Sequence, residues 1–311
     1  MAAGDRQHEP KVGIGLPVYN GEEYLAQAIE SIIGQTFQDW ECVISDNASS
    51  DKTAEIAQAY AERDPRIRYS RNATNIGGAH NENLTVSLTR GEYFRWAAHD
   101  DYMEPELLHR CVAALDSDPG VVLCYTQVRQ LDLVKGSEEV LSRNNASSDR
   151  PATRFRTIIL SREFLEETYG VIRRDVLART PLQADYIASD RTLIAEISLY
   201  GRFCEIPEPL FVKRLHPKNA YVDWRTRIAW FLPDATGQLS FPWWAQLRDL
   251  LRTVRRAEVA FPVKAECYAS VGLWALVRSP NLAKDVVMGA YCAARGKRWR
   301  QARYESSKNW E

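Results

Sequence analysis

Residues 11–117 alternate short apolar segments with amphipathic helical ones, and this alternation restricts the possible folds more than any other feature. Four segments have the length and apolar content of strands: Lys11–Val18, Glu41–Ser45, Ile67–Ser70 and Tyr93–Ala98. Each is followed, after a polar turn, by apolar residues at helical spacing. Strands that alternate with helices form a parallel sheet covered on both faces. The sequence therefore predicts an α/β fold.

A polar cluster follows each of these four predicted strands. The clusters are Tyr19-Asn20, Asp46-Asn47, Asn75 with Gly77-Gly78, and His99-Asp100-Asp101. The carboxyl ends of parallel strands lie at one edge of a sheet, and ligands of open α/β sheets bind in the crevice outside that edge. We therefore expect the four clusters to converge on one ligand-binding crevice.

The first predicted strand contains Gly13-Ile14-Gly15, which is part of a dinucleotide-binding fingerprint. The third glycine of that fingerprint is absent, and Pro17 stands where the glycine-rich turn should continue. The sequence therefore argues against a dinucleotide-binding fold of that type.

Asp100 and Asp101 are adjacent carboxylates at the tip of a predicted buried strand. Their repulsion is costly unless a cation or a proton relieves it. One interpretation is a site for a divalent metal ion. The alternative is structural, because an Asp-Asp pair ahead of a helix also serves as its N-cap and first-turn acid.

The second half of the chain is less regular. Its predicted elements are a strand over Val121–Leu131, a loop over the crevice or a surface insertion over Lys135–Pro151, a strand and turn over Gly170–Leu177, a helix within Ala184–Tyr200, and two short strands in Phe203–Arg214. The two short strands flank Pro207 and Pro209. From Phe241 the chain is rich in Trp, Arg and helix formers, so we predict a first domain over residues 1–240 and a helical appendage over residues 241–311.

Composition restricts the compartment and the partners. The six cysteines are scattered singly with no CxxC motif, which is typical of reduced thiols in a cytoplasm and speaks against zinc. The N-terminus lacks the apolar core of a signal peptide, and the longest apolar runs, such as Ala269–Val277, are too short to span a bilayer. We therefore expect a cytoplasmic protein, and at a net charge of −1 we expect no nucleic acid among its partners.

Six motifs stand in order along the chain. They are PVYN at Pro17–Asn20, SDNASSD at Ser45–Asp51, NIGGAHNENL at Asn75–Leu84, RGEYFRWAAHDDYMEP at Arg90–Pro105, SD at Ser189-Asp190 and EIPEPLFVKRLH at Glu205–His216. Together they resemble the family 2 glycosyltransferases, inverting enzymes of the GT-A fold that transfer a sugar from a nucleotide diphosphate donor. The resemblance implies a mostly parallel GT-A-type sheet flanked by helices, with a Rossmann-like nucleotide-binding half and a catalytic domain that ends by residue 240. It does not cover the chain beyond His216.

The resemblance implies a role for several residues. Those that it places around the nucleotide-sugar donor are Pro17, Tyr19, Asn20, Asp46, Asn75, Gly78 and His99. Within that set, Asp46 matches the carboxylate that accepts a hydrogen bond from the base. His99 has a purely structural placement as its alternative.

The resemblance also implies a metal site. Asp100 matches the ligand position of a motif usually written Asp-x-Asp, whose first acid is replaced here by Ala98. His216 matches an Arg-x-His element that reaches the metal or a phosphate, and its alternative is a histidine that bonds the backbone in a turn. The implied ion is Mn²⁺ or Mg²⁺, which would stabilise the charge on a diphosphate leaving group.

Asp190 matches the general base of the family, which takes the proton from the acceptor hydroxyl and gives a product of inverted anomeric configuration. Ser189 replaces the Glu that usually precedes this acid, so Asp185 is a second candidate. The implied donor is a UDP-, GDP- or dTDP-sugar, and the implied acceptor is a glycan or a lipid-linked hydroxyl.

Two alternative functions stay open. A non-catalytic nucleotide-sugar-binding protein is allowed because the first acid of the metal motif is missing. A sugar-phosphate nucleotidyltransferase would share a related sheet and a metal, but it would need a basic, glycine-rich loop where Pro17–Asn20 stands.

The C-terminal region has a charge balance of its own. From Phe241 onward there are 13 Lys and Arg against 6 Asp and Glu, which leaves +7 there and −8 in residues 1–240. Trp243, Trp244, Trp274 and Trp299 lie among these basic residues. One interpretation is a helical cover over the catalytic domain. The other is peripheral contact with an anionic membrane at its cytoplasmic face.

Overall fold

The first half of the sheet consists of parallel strands, in a computed structural model that describes residues 9–142, 146–161, 165–217 and 241–295. Its strands are β1 (Val12–Val18), β2 (Trp40–Asp46), β3 (Ile67–Arg71) and β4 (Tyr93–Trp96). The helices that follow them are α1 (Leu25–Ile33), α2 (Thr53–Arg63), α3 (Gly78–Leu88) and, after the short strand β5 (Tyr102–Met103), α4 (Leu107–Ser117). Strand β1 pairs with β2 and β4, and β2 pairs with β3. The predicted α/β alternation is confirmed.

The second half of the sheet is mixed. Its elements are β6 (Val121–Asp132), β7 (Ser137–Leu141), α5 (Pro151–Leu160), a 3-10 turn (Glu166–Tyr169), β8 (Val171–Arg173), α6 (Arg174–Leu177), α7 (Ser189–Tyr200) and β9 (Arg202–Leu215). The sheet order is β3-β2-β1-β4-β8-β6-β9-β5, with β7 attached to β6. Strand β8 runs antiparallel to both β4 and β6, whereas β6 and β9 are parallel.

The sheet separates two hydrophobic cores. Successive residues of β4 point to opposite faces, so Phe94 and Trp96 enter one core and Tyr93 enters the other. The core around Tyr93 holds the inner faces of α1 and α4. The core around Phe94 holds those of α5 and α7. Both faces of the sheet are therefore covered, as a parallel sheet requires.

The prediction of two short strands around Pro207 and Pro209 is wrong, because β9 is one continuous strand. Its register against β6 shifts between the pair Thr126 and Ile206 and the pair Val128 and Phe211. Both prolines lie in this irregular part. A bulge leaves residues out of the hydrogen-bond ladder, so it tolerates a residue that has no N–H to donate.

The polar stretch Lys135–Pro151 is a surface insertion in its described part. Strand β7 pairs antiparallel with β6 and is largely exposed. Gly136 takes a φ of +67° in the turn between them, a conformation that favours glycine. Residues 143–145 lie outside the described part of the chain.

Gly13 and Gly15 permit a close approach between β1 and α3. A Cβ on Gly15 would lie 2.2 Å from Thr85 Oγ1, and a Cβ on Gly13 would lie 2.1 Å from the Arg90 carbonyl oxygen. Both glycines therefore have a packing role. That role explains why they occur in β1 without a dinucleotide-binding turn.

Three helices form the described C-terminal region: α8 (Pro242–Arg256), α9 (Phe261–Val277) and α10 (Ser279–Arg295). Leu250, Val254, Val271 and Trp274 are buried in the same core as α5 and α7. The predicted helical appendage is thus present and packs on the sheet-bearing part. Trp299 and residues 218–240 lie outside the described residues, so the domain boundary at residue 240 stays a prediction.

Two further findings concern this region. Arg256 forms a salt bridge with the fully buried Glu196 of α7, so it is not a free surface charge. In residues 9–142, 146–161, 165–217 and 241–295, no helix is long and apolar enough to cross a bilayer.

Candidate active site

The turns that follow β1 and β2 are joined by hydrogen bonds. The backbone N–H of Asn20 donates to Ser49 Oγ at 2.9 Å, and the N–H of Ser50 donates to Asn20 Oδ1 at 2.9 Å. Asn20 has a φ of +51°, which asparagine tolerates better than most residues. Pro17 lies near the end of β1, and Tyr19 is exposed beside it. These predicted donor-binding residues therefore lie together at the carboxyl edge of the sheet.

Asp46, the last residue of β2, is fully buried and accepts three hydrogen bonds. The donors are the Ser49 N–H at 2.8 Å, the Tyr69 hydroxyl at 2.7 Å and Arg71 Nη1 at 2.9 Å. Tyr69 and Arg71 are two residues apart in β3 and so lie on one face of the strand. Burial and the bond to Asp46 raise the pKa of Tyr69. The positive charge of Arg71 thus balances that of the Asp46 carboxylate, and the three bonds hold the carboxylate in a fixed position. A carboxylate has about four lone-pair sites, so one of them is not used by these three donors.

An amide network fixes the loop after β3. Asn47 Nδ2 donates to Asn75 Oδ1 at 2.8 Å, and the Gly77 N–H donates to the same oxygen at 2.9 Å. Asn72 Nδ2 donates to Asn47 Oδ1 at 3.1 Å. Gly77 has a φ of +88°, and Gly78 begins α3 directly after it. Asn75 and Gly78 therefore lie beside the end of β2, where the sequence predicts the nucleoside.

The two adjacent aspartates have different environments. Asp100 Oδ2 lies 3.1 Å from His216 Nε2, although the two residues are 116 positions apart. Burial alone would raise the pKa of Asp100, but His99 and His216 outweigh it and hold that pKa below its usual value. Asp101 is buried and accepts the Arg214 backbone N–H at 2.8 Å. Burial and the charge of Asp100 raise the pKa of Asp101 well above its usual value. The two aspartates therefore differ. The surroundings favour the ionised form of Asp100 and the protonated form of Asp101.

His99 and His216 both lie near residues of the β1–α1 turn. A Cβ on Gly21 would lie 2.6 Å from His99 Cδ2, so the glycine makes room for that ring. The His216 ring lies 4.7 Å from the Tyr24 ring, centroid to centroid. His216 Nε2 also bonds the Asp100 carboxylate, so His216 lies against the candidate metal ligand.

Asp190 lies in the first turn of α7 and is half-buried. Its Oδ1 accepts the Arg191 backbone N–H at 2.8 Å, and Ala188 before the helix has a φ of +70°. Asp185, the second candidate for the base, is exposed. Asp190 is thus the second residue of the helix and not its N-cap, which is Ala188, and its Oδ1 bonds the N–H of the next residue.

Sequence reasoning missed a residue beside Asp190. Glu82 on α3 is only 7% exposed, and Gln183 Nε2 donates a hydrogen bond to its carboxylate. Burial raises the pKa of Glu82 to about 8, with the charge of Asp190 acting in the same direction and the Gln183 bond acting against it. Glu82 lies within the motif Asn75–Leu84, but that motif does not point to a role for this acid, because one acidic residue within a helical pattern is ordinarily a surface residue.

A family comparison covers the clusters at Asn20, Asp46, Asn75 and Asp100. The model described as "Glycosyl transferase family 2" matches residues 14–179, more than half of the 311 residues. This chain belongs to glycosyl transferase family 2. The matched span includes Asp46, Asn75 and Asp100 and ends before Asp190 and His216.

Relatives of this family 2 member differ in length and in how much of it they match. Chondroitin synthase from Escherichia coli is 35% identical over 124 residues, which is 40% of this chain and 18% of that protein. The chain spans less than two thirds of the length of further curated relatives.

Solved structures share the fold. Staphylococcus aureus TarS residues 1–349 in complex with UDP-GlcNAc gives a TM-score of 0.63 at 17% identity, covering 88% of this chain and 79% of that one. The mannosyltransferase PcManGT from Pyrobaculum calidifontis, in complex with GDP-Man and Mn²⁺, gives 0.57 at 18% identity, covering 98% and 81%. These similarities confirm the predicted GT-A-type fold.

The residues present fit a divalent ion of the kind that the family resemblance implies. Within residues 9–142, 146–161, 165–217 and 241–295, no group of three His, Cys, Asp or Glu side chains could hold a metal by itself. Mg²⁺ is commonly bound by one or two carboxylates plus substrate phosphates, and neighbouring ligands on an octahedral ion at about 2.1 Å lie about 3.0 Å apart. In this structure Asp100 Oδ2 and His216 Nε2 share a hydrogen bond at 3.1 Å, so the two side chains are close enough together to bind one ion when Nε2 carries no proton.

Proposed function

We propose that this family 2 member is an inverting glycosyltransferase that moves a sugar from a nucleotide-diphosphate donor to an acceptor hydroxyl with the help of Mn²⁺ or Mg²⁺. The observation that carries this proposal is the Asp100 and His216 pair at the carboxyl edge of the parallel strands. An ionised carboxylate and an imidazole at that edge suit an ion that binds a diphosphate.

The donor would lie across the strand ends. Asp46 and Asn75 border the first part of the crevice, where a base and ribose would bind. The Asp46 carboxylate is fully buried, so the Arg71 side chain would have to move aside for a base N–H to reach it. Asp100 and His216 would hold the ion, which when bound would stabilise the negative charge that develops on the leaving diphosphate. Asp101 would keep the loop in place through the Arg214 backbone N–H.

Asp190 is our choice for the general base. Its carboxylate would accept the proton of the acceptor hydroxyl while that oxygen attacks the anomeric carbon opposite the leaving diphosphate, so the product would have inverted configuration. Its half-buried position at the start of α7 supports this assignment over the exposed Asp185, because a base held in a fixed geometry is more effective.

The test is a donor screen with the purified full chain. UDP-glucose, UDP-GlcNAc, GDP-mannose and dTDP-glucose are tested by thermal shift and for slow hydrolysis, each with Mn²⁺, with Mg²⁺ and with EDTA. We expect metal-dependent hydrolysis of at least one donor. Metal-dependent binding with no turnover on water or on any acceptor would instead favour a non-catalytic binding protein, and synthesis of a nucleotide sugar from a nucleoside triphosphate would favour a nucleotidyltransferase.

Three variants separate the roles. Asp100→Ala should abolish turnover and remove the metal dependence of nucleotide binding. Asp190→Asn should leave donor affinity nearly unchanged and lower turnover by roughly a hundredfold or more. Asp185→Asn is the matched control, and a comparable loss there with an active Asp190→Asn would transfer the role of base to Asp185.

We further propose that the outward face of α9 and α10 contacts an anionic membrane and that the acceptor is lipid-linked. Phe261, Leu276 and Val287 are at least 66% exposed on these helices, in a region with a charge balance of +7. Apolar side chains beside basic residues suit an anionic lipid surface. The inner face of α9 covers the core, and α10 packs on α8 and α9, so the two sequence interpretations are compatible.

Vesicle flotation tests the membrane proposal. We expect binding to vesicles of phosphatidylcholine and phosphatidylserine, no binding to pure phosphatidylcholine, and weakening by salt. Leu276→Asp with Val287→Asp should abolish binding, whereas Leu133→Asp, an exposed leucine on the β6–β7 hairpin, should not. Charge reversal is informative at Arg252 and Arg255 only, because Arg256 is bonded to Glu196. A chain that stays unbound in every condition would contradict the membrane proposal. The helices would then serve only as a cover over the catalytic domain.

A further inference from the structure

Glu82 is a buried carboxyl group for which the proposed reaction gives no role. It lies one turn into α3, and its backbone oxygen accepts the Trp96 Nε1–H at 3.0 Å. Trp96 is the last residue of β4, four residues before Asp100. Glu82 is therefore anchored to the strand that leads to the candidate metal loop.

The segment before Asp190 is clamped to α3 at this point. Asn83 Nδ2 donates to the Gln183 carbonyl oxygen at 2.7 Å, and the Gln183 N–H donates back to Asn83 Oδ1 at 3.1 Å. Gln183 Nε2 donates to the Glu82 carboxyl group. Three hydrogen bonds thus fix Gln183, seven residues before Asp190.

The same segment is under backbone strain. Leu182 and Ala188 have φ values of +62° and +70°, and neither is glycine. Left-handed conformations of such residues persist only when the surroundings impose them. The hydrogen bonds of Gln183 hold one end of the segment in place. At the other end, Gln246 Nε2 of α8 donates to the Ala188 carbonyl oxygen at 3.4 Å.

The charges around Glu82 are few. Asp190 is the ionisable group that acts on it through space, and Gln183, which is uncharged, bonds it directly. At the far end of α3, Arg68 and Arg174 donate to backbone oxygens of Leu88 and Val86, and Glu41 pairs with Arg68.

Two charged groups are close to this pair in sequence, His80 and Arg191. His80 of α3 is exposed, and the Arg191 guanidinium that follows Asp190 donates to the Ile158 carbonyl oxygen at 2.9 Å. Arg248 and Asp249 of α8 also lie near Asp190, since both act with it on the Tyr186 hydroxyl. Around Glu82 itself, burial favours the neutral form of the carboxyl group.

We propose that Glu82 is a positioning residue for Asp190: its buried carboxyl group bonds Gln183 and so helps to hold the segment that carries Asp190. This role rests on the proposed function, in which Asp190 is the base. The clamp and the electrostatic coupling between the two carboxyls do not rest on it.

If Glu82 has this role, turnover should fall at alkaline pH. With a pKa of about 8, Glu82 would lose its proton above that pH, and a second carboxylate would appear beside Asp190. That charge would repel Asp190 and the negatively charged donor diphosphate, and turnover should fall. A glutamine at position 82 stays neutral at every pH and can still accept the hydrogen bond from Gln183 through its amide oxygen.

The first experiment needs no substrate. Carboxyl ¹³C resonances of the labelled full chain are titrated by NMR, and the Glu82 resonance is assigned by its loss in Glu82→Gln. We expect it to titrate near pH 8 and to move to lower pH in Asp190→Asn, while Asp185→Asn, the matched control on the same segment, leaves it in place. A Glu82 resonance that titrates with the exposed glutamates, or that ignores Asp190→Asn, overturns the inference.

The second experiment measures kcat and KM against pH, using hydrolysis of whichever of the four nucleotide sugars the donor screen selects. Wild-type kcat/KM should fall about tenfold for each pH unit above the pKa of Glu82, and Glu82→Gln should lack this limb. Glu82→Ala, which removes one of the three hydrogen bonds that fix Gln183, should lower kcat about tenfold or more at every pH with little change in donor KM.

An alkaline limb shared by wild type and Glu82→Gln would overturn the positioning role. A wild-type chain with no turnover on any donor would overturn the proposed function instead, and the NMR titration would still decide whether the two carboxyls are coupled.

Discussion

Arg256→Met should destabilise the protein far more than the same change at its neighbour Arg255. Glu196 of α7 is fully buried, and Arg256 of α8 binds both of its oxygens, Nε to Oε1 at 2.6 Å and Nη2 to Oε2 at 2.5 Å. Without the guanidinium, Thr253 Oγ1 at 3.2 Å is the side chain that still bonds the carboxylate. Breaking a buried ion pair at one partner costs about 3–5 kcal/mol.

The Arg256 side chain is 34% exposed, so water can replace part of it, and the lower end of that range, about 3 kcal/mol, is the expected loss. At 1.36 kcal/mol per factor of ten, this corresponds to roughly a 150-fold change in the folding equilibrium. The assay is urea unfolding followed by tryptophan fluorescence and far-UV circular dichroism. Arg255→Met, on the exposed side of α8, should stay within about 0.5 kcal/mol of wild type.

A double variant tests whether the loss comes from the unpaired charge of Glu196. Glu196→Gln combined with Arg256→Met removes the buried charge together with its partner, so it should cost clearly less than the two single losses added together. Additive losses, or an Arg256→Met no less stable than Arg255→Met, would refute the conclusion that this pair fastens the C-terminal helices to α7, the helix that begins at Ser189-Asp190.

Other expectations concern the β1–α3 contact, the buried acid and the candidate metal ligand. Gly15→Ala should lower the unfolding free energy by about 2 kcal/mol, because its Cβ would lie 2.2 Å from Thr85 Oγ1; an unchanged thermal midpoint would contradict this. Glu82, with a folded pKa near 8 against about 4.3 unfolded, contributes stability below pH 4.3 that is lost as pH rises toward 8. Glu82→Gln should therefore gain stability relative to wild type across that window in urea titrations, and parallel curves would argue against the raised pKa. His216→Ala should weaken the Mn²⁺-dependent part of UDP binding about tenfold by calorimetry, and equal affinities would remove His216 from the metal site.

The sequence predicts the parallel half of the fold well because its signals there are local. Each strand from β1 to β4 is an apolar run that ends in a polar turn, and the clusters at Asn20, Asp46, Asn75 and Asp100 do lie at one edge of the sheet. The proximity of His216 to Asp100 was predicted from the family resemblance, since no local pattern tells which strand returns to that edge.

The parts that the sequence did not predict depend on contacts between distant segments. Periodicity shows that one face of α3 is buried but not that the charge of Asp190 acts on Glu82 there. It also marks Arg256 as one of several basic residues without indicating its partner Glu196. The continuity of β9 through Pro207 and Pro209 depends on a bulge, which is set by the partner strand β6.

The pairing of Asp100 with His216 also fixes when the candidate metal site can arise during synthesis. Strand β9 ends at Leu215, and it must pair with β6 and β5 before His216 can reach the loop after β4. Strand pairs far apart in sequence form late because the loop between them must first be closed. A nascent chain that has released only β1 to β4 therefore exposes Asp100 and Asp101 without His216 and without the Arg214 backbone N–H. Metal affinity should be among the last properties that the growing chain acquires, and its onset would mark the completion of the sheet.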